Sequence, residues 1–199
     1  MSSPFSSFFE TDTYFIDEKV NMFKFQNEYK VYNELAVQIG MIRQQLSTGE
    51  KILRLLINKA MMPFHFEITD AEGVLQASLK RGWTFWMSQI EILDGAGTVI
   101  GTIKQQFKLF KPTFHISDAS GTPVASITGD WIAWNFTILN AQQEQIGTIT
   151  KKWAGMAKEL FTTADKYQVN IHPSVKEDVH KVAIVAAAIT VDMVFKEQK

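Results

Sequence analysis

The segment FEITDAEGVLQASLK that begins at Phe66 returns as IEILDGAGTVIGTIK from Ile90 and as FHISDASGTPVASIT from Phe114, each copy 24 residues after the last. A fourth copy, FTILNAQQEQIGTIT from Phe136, follows after 22 residues. A fainter one, YKVYNELAVQIGMIR from Tyr29, matches the fourth at Asn33, Gly40 and Ile42. Units this short cannot enclose a core alone, so a chain made of five must stack them side by side.

Each unit reads as a β-hairpin. Phe66 and Ile68 alternate with Glu67 and Thr69, the period of two of a half-buried strand, and Ile90 with Ile92 and Phe114 with Ile116 repeat it. Asp70, Asp94 and Asp118 can accept backbone N–H groups two residues on, while Gly73, Gly97 and Gly121 supply the positive φ of a short hairpin loop. Calcium loops need further carboxylates at alternate positions, where these offer Ala, Glu, Gly and Ser. Ala36 and Gln143 stand where the glycine should be, which predicts a different turn type in those two copies.

The return strands place Gly40, Ala77, Gly101, Ala125 and Gly147 two residues before a large aliphatic on the same face. An inward ring of Gly and Ala makes room for something, and a barrel of about a dozen strands is too wide for side chains alone to fill. The run VAIVAAAITVDMVF, Val182 to Phe195, suits that space. It is apolar nearly all round, as an enclosed helix is, and its alanines keep it slim. Pro173 and Ser174 mark its start and the lysines at 196 and 199 suit its negative end, so the core helix is expected over about 175–195. At 14 residues with Asp192 inside it, the run falls short of the roughly 20 apolar residues of a spanning helix. Asp192 itself is expected to emerge at the last turn toward water or a backbone donor.

With 46% apolar residues among 199, the chain can bury a core unaided. Its 20 basic and 21 acidic residues nearly cancel, which argues against a nucleic-acid partner. It has no cysteine, which removes disulfides, thiolate metal sites, a cysteine nucleophile and S-palmitoylation and favours a reducing compartment. MSSPFSSFFE lacks the basic and apolar regions of a secretory signal, so a cytoplasmic setting is expected. No phosphate loop, nucleophile elbow or H-E-x-x-H occurs, and no catalytic residue or cofactor is assigned. His65 and His115 read as strand-boundary residues, and His172, Asp178 and His180 match no familiar metal spacing. Between Gln44 and Met62 the repeat breaks, and Thr48 as a cap favours a short helix covering one barrel end, with a strand the alternative that the Ile and Leu content allows.

The repeated hairpin, the early YFIDEKV at Tyr14 to Val20, and the closing ADKYQVNIHP before an apolar helix ending ITVDMVF resemble the phospholipid scramblase and LURP-one-related proteins, relatives of the tubby C-terminal domain. The resemblance runs from about Tyr14 to Phe195. It implies a mainly β fold, a closed antiparallel barrel of about twelve strands built from hairpin repeats and enclosing the hydrophobic C-terminal helix. On that plan residues 1–13 are an N-terminal segment and 14–199 a single domain. Scramblases are proposed to move phospholipids between leaflets in response to calcium, and tubby-like barrels bind phosphoinositides. The scramblase calcium stretch, roughly Asp-Ala-Asp-Asn-Phe-Gly, corresponds here to Thr163 through Gln168, where Asp165 is the one carboxylate and Lys166 adds a positive charge. Calcium dependence is therefore doubtful, with Asp165 the weak candidate ligand, and the acyl anchors of animal scramblases are missing.

Contact with membranes would then rest on local cations and interfacial aromatics. Lys80 and Arg81 precede Trp83 and Trp86; Lys104, Lys108 and Lys111 flank two phenylalanines; Lys151 and Lys152 precede Trp153. These are ends of three return strands, which a barrel of hairpins can gather at one rim as an anionic-headgroup site. The expected protein is a non-enzymatic, monomeric barrel that binds anionic phospholipid headgroups or phosphoinositides peripherally, with a link to phospholipid scrambling as a further option and a soluble protein-protein or regulatory interaction module without lipid activity as the alternative.

Overall fold

The computed structural model describes residues 7–19, 27–47, 49, 61–83, 89–106, 113–130, 132–151 and 166–197. Twelve strands follow one another: β1 (Thr13–Lys19), β2 (Glu28–Tyr32), β3 (Gln38–Gln45), β4 (Phe64–Asp70), β5 (Leu75–Arg81), β6 (Gln89–Asp94), β7 (Val99–Gln106), β8 (Thr113–Asp118), β9 (Pro123–Asp130), β10 (Asn135–Asn140), β11 (Gln145–Thr150) and β12 (Lys166–Ile171). All neighbouring pairs are antiparallel, and β1 pairs with both β2 and β12, which closes the barrel. Closure leaves no unpaired edge strand. The short helix expected over Thr48 to Met62 lies largely outside the described residues.

Period-two alternation puts one apolar stripe of every strand inside. Phe66 lies opposite Leu79, Ile90 opposite Ile103, Phe114 opposite Ile127 and Phe136 opposite Ile149, all buried. Tyr29 opposite Ile42 makes the same pair in the first hairpin. Before β1, a 3-10 turn at Ser7–Phe9 brings Phe8 and Phe9 into this core.

The five hairpin tips are alike, which corrects the expectation that two of them differ. In each, the Asx residue's side-chain oxygen accepts the N–H groups two and four residues on, from Asn33 through Asp70, Asp94 and Asp118 to Asn140. The same backbone bonds recur, with the fourth residue's N–H donating to the Asx carbonyl. Ala36 (φ 58°) and Gln143 (φ 64°) adopt the left-handed conformation that Gly73, Gly97 and Gly121 adopt elsewhere. The side-chain acceptor fixes the loop so firmly that a residue with a Cβ accepts the strained backbone.

A second regularity explains the ring of small residues. One extra residue, Ile39, Gln76, Ile100, Val124 or Ile146, bulges from every return strand just before Gly40, Ala77, Gly101, Ala125 or Gly147. A bulge bends the strand and deepens its twist. A Cβ placed on Gly101 would lie 2.7 Å from the carbonyl oxygen of Ser117 on β8, and one on Gly147 would meet the carbonyl of Asn170 on β12. The nearest obstacles are therefore neighbouring strands, not the helix. At Gly40, Gly101 and Gly147 the missing Cβ thus serves strand-to-strand approach at the bulge, a role added to the room that the ring of small residues was expected to make.

The lumen is nonetheless filled by a helix, α1 (Asp178–Glu197). It begins three residues later than expected because Pro173 and Ser174 form a turn, closed by the Val175 N–H on the His172 carbonyl, and the Glu177 carbonyl accepts the first helical N–H groups. From Lys181 to Val194 every residue is buried, so the helix is surrounded on all sides. Asp192 does not emerge: it is 2% exposed and accepts a hydrogen bond from the Tyr29 hydroxyl at 3.1 Å.

Candidate functional site

Up-and-down connection sorts the chain into two unlike ends. The five tight tips lie at one end, with the start of α1 and the last residues of β12. β3, β5, β7, β9 and β11 finish at the other, so the return-strand ends share one rim of the barrel.

Along that rim the candidate side chains divide between wall and lumen. Lys80 follows Leu79 and so points outward, where it is exposed. Lys104, likewise outward and exposed, lies two strands away, with Glu91 opposite Lys80 on the strand between them. Neither lysine has an ion-pair partner among the described residues. Trp83, just past the end of β5, is 52% exposed. Arg81 shares the inward phase of Ala77 and Leu79 and is only 4% exposed. Its guanidinium donates to the Met62 carbonyl at 2.8 and 3.2 Å and stacks over the Phe64 ring at 4.5 Å, so it is built into the wall rather than offered to a ligand. Lys151 is also inward in phase, and its ammonium lies 4.5 Å from the centroid of the Trp134 ring. The segments carrying Lys108, Lys111, Lys152, Trp86, Trp153 and Asp165 lie outside the described residues.

The inward set at this end is polar. Gln44, Arg81 and Gln105 occupy equivalent places on β3, β5 and β7, all buried, near the level where Tyr29 holds Asp192. Lys166, at the start of β12, pairs with Asp17 of β1 at 3.2 Å. Two features of this end carry no mark in the repeat: Ile132, 97% exposed between β9 and β10, and buried Trp134, held at φ 50° beneath Lys151.

The tip end has a different character. A cleft of about 700 Å³ opens between the β8–β9 and β10–β11 tips and the start of α1, with Ile146, Val175 and Ile184 among its lining and Lys176, Glu177 and His180 beside them. His180 faces Glu177 at 3.4 Å, and His172 bonds Ser174 at 2.8 Å. His115 lies on the outer wall against Gln106. No group of three His, Cys, Asp or Glu among the described residues is placed to hold a metal, the set His172, Asp178 and His180 included. Beneath the tips, Tyr14 is fully buried, and its hydroxyl pKa is pushed far above the ordinary value by burial first and then by Asp12 and Asp178. It stays neutral and acts as packing. Beside it Lys181 holds Asp12 at 2.6 Å, tying α1 to the segment before β1.

This architecture meets a family model described as Scramblase, which matches residues 15–198. The chain belongs to the scramblase family. The match runs from the first strand through the core helix and so covers the whole barrel. Neither the curated proteins nor the solved structures give a match to the chain. For this scramblase-family barrel, no helix among the described residues is long and apolar enough to cross a membrane. The apolar run of α1 is spent on the barrel's own core.

Proposed function

We propose that this scramblase-family barrel is a peripheral, non-enzymatic module that binds anionic phospholipid headgroups at the rim opposite its hairpin tips. The observation that carries the reading is that Lys80 and Lys104, exposed and without an ion-pair partner among the described residues, share a rim with half-exposed Trp83, just past the end of β5. Cations beside a headgroup layer contribute about 1 kcal/mol each, and a tryptophan favours the interface between water and acyl chain. Arg81 is left out of the binding set because its guanidinium is already bonded within the wall. Calcium is not expected to be needed, since the residue after Asp165 is a lysine engaged with Asp17.

Co-sedimentation with vesicles of phosphatidylcholine alone and mixed with phosphatidylserine tests this, with and without a calcium chelator. Binding is expected only to the anionic vesicles, unaffected by the chelator and weakened by salt. A Lys80→Glu, Lys104→Glu double variant should lose at least about tenfold in affinity. No binding to anionic vesicles at low salt would refute the proposal, and unchanged binding by the double variant would refute the residue assignment. A second reading, a protein partner at the tips, is favoured by Leu35 (72% exposed), Val37 (55%) and Val74 (58%) on two adjacent hairpins.

A further inference from the structure

Acidic and basic residues are not mixed evenly along the barrel axis. The five hairpin tips, residues 33–37, 70–74, 94–98, 118–122 and 140–144, contain six carboxylates and no Lys or Arg. The rest of the chain therefore carries 20 cations against 15 carboxylates. Turn chemistry accounts for four of the six: Asp70, Asp94 and Asp118 are the loop acceptors, and Glu144 accepts from the Asn140 amide. Glu34 and Glu72 accept no side-chain hydrogen bond or ion pair among the described residues, and both are exposed.

We infer that the barrel is charge-polarised along its axis and docks on an anionic membrane in one orientation, with the hairpin tips pointing away and the Trp83 and Ile132 end against the lipid. The inference rests on the proposed lipid binding and adds its direction and a second contact residue. The geometry supports it by scale. Strands of five to eight residues at about 3.3 Å per residue, tilted roughly 40° to the barrel axis, make a wall roughly 13–20 Å tall, about two Debye lengths at physiological salt. Only one end at a time can feel a charged surface. At the tip end the six tip carboxylates, joined by Asp12, Glu177 and Asp178 and opposed by Lys176 and Lys181 at the start of α1, are repelled by anionic headgroups, and the exposed Leu35, Val37 and Val74 stand among Glu34 and Glu72. The helix macrodipole runs the other way, its negative end toward the Trp83 end, but at about half a charge it is small beside the six carboxylates of the tips. At the opposite end Ile132 and Trp83 stand on separate connections, after β9 and after β5. Contact through both spreads across the barrel mouth, which fixes tilt as well as polarity.

The absence of cysteine makes the test direct, because any introduced cysteine is the sole labelling site. Four single variants of the full chain, Gly82→Cys and Ala133→Cys at one end and Leu35→Cys and Ala96→Cys at the tips, carry an environment-sensitive fluorophore. All four positions are exposed, and an added Cβ at Gly82 meets no atom within 4 Å. On mixed phosphatidylcholine and phosphatidylserine vesicles the Gly82 and Ala133 labels should shift to the blue and be quenched by nitroxide lipid. The Leu35 and Ala96 labels should do neither. Sedimentation of the same samples separates the two claims. Protein that does not sediment with vesicles removes the lipid-binding reading and the orientation with it. Protein that sediments with its tip labels quenched, alone or together with the others, overturns the orientation while lipid binding stands. An Ile132→Ser variant should reduce sedimentation several-fold, and unchanged sedimentation would remove Ile132 from the contact.

Discussion

The left-handed backbone at Gln143 offers a test of the repeat itself. Gln143 occupies the place that Gly97 occupies in the β6–β7 tip, with φ 64° against 85° and the same hydrogen bonds around it. A residue with a Cβ in that region carries about 1–2 kcal/mol of strain. Replacement by glycine removes the strain but returns about 0.5–1 kcal/mol through the greater freedom of the unfolded chain. Gln143→Gly should therefore stabilise the barrel by about 0.5–1 kcal/mol. Gly97→Ala should cost a similar amount, and it isolates the backbone term because an added Cβ there meets nothing within 4 Å. In a domain of this size 1 kcal/mol moves the melting temperature by about 2–4 °C. Calorimetric melting of the two variants beside the parent chain should show a rise of about 1–4 °C for Gln143→Gly and an equal and opposite fall for Gly97→Ala. Ala36→Gly in the distant first tip should add independently. A lower melting point for Gln143→Gly, or no change for Gly97→Ala, would show that the Asx side chain does not impose one conformation on all five tips.

The core and the acid limb of stability give three further tests. Ala187→Leu places a larger side chain on a fully enclosed turn of α1 and should cost about 1–3 kcal/mol or more in urea unfolding, whereas the same change on a helix with a free face would cost little. Tyr29→Phe removes the hydroxyl that donates to buried Asp192 and should cost about 1–3 kcal/mol by the same measurement; a neutral result would mean that Asp192's other contacts suffice. Asp118 has its carboxyl held below the ordinary value, first by the Ser120 hydroxyl and then by the Thr122 amide. A depressed pKa gives stability that is complete above the unfolded value and lost as pH falls through the folded one. Ser120→Ala should therefore raise the Asp118 pKa in a carboxyl-detected NMR titration, and an unchanged Asp118 titration would show that the hydroxyl is not what holds it down.

Much of the barrel could be read from residue spacing because the two signals involved are local. Alternation of apolar and polar residues sets which face of a strand is buried, and an Asx residue followed by glycine closes a tip within five residues. Carried two residues further, the same alternation places Arg81 and Lys151 inward and Lys80 and Lys104 outward, a distinction that grouping cations by sequence neighbourhood misses. The uniformity of the tips was hidden because a glycine rule treats Ala36 and Gln143 as exceptions, when the side-chain acceptor and not the glycine dictates the turn. Ile132 shows no signal, since one exposed isoleucine in a connection resembles any other.

What the sequence determined by itself was the unit and its count: five Asx-tipped hairpins, a first strand and a helix whose apolar run of 14 residues is shorter than a membrane span needs. These follow from interactions within a few residues, which is why they survive translation from spacing into structure. Only the tertiary structure decided what the spacing leaves open. It closed β1 onto β12 across the length of the chain and drew Phe8 and Phe9 into the core. It buried Asp192 against Tyr29, more than 160 residues away, and set the glycines that follow the bulges against carbonyls of neighbouring strands. It also collected charges scattered through the sequence into an acidic end and a more basic remainder. Each of these depends on which distant strands meet and in what register, and a one-residue change of register would turn every inward side chain outward.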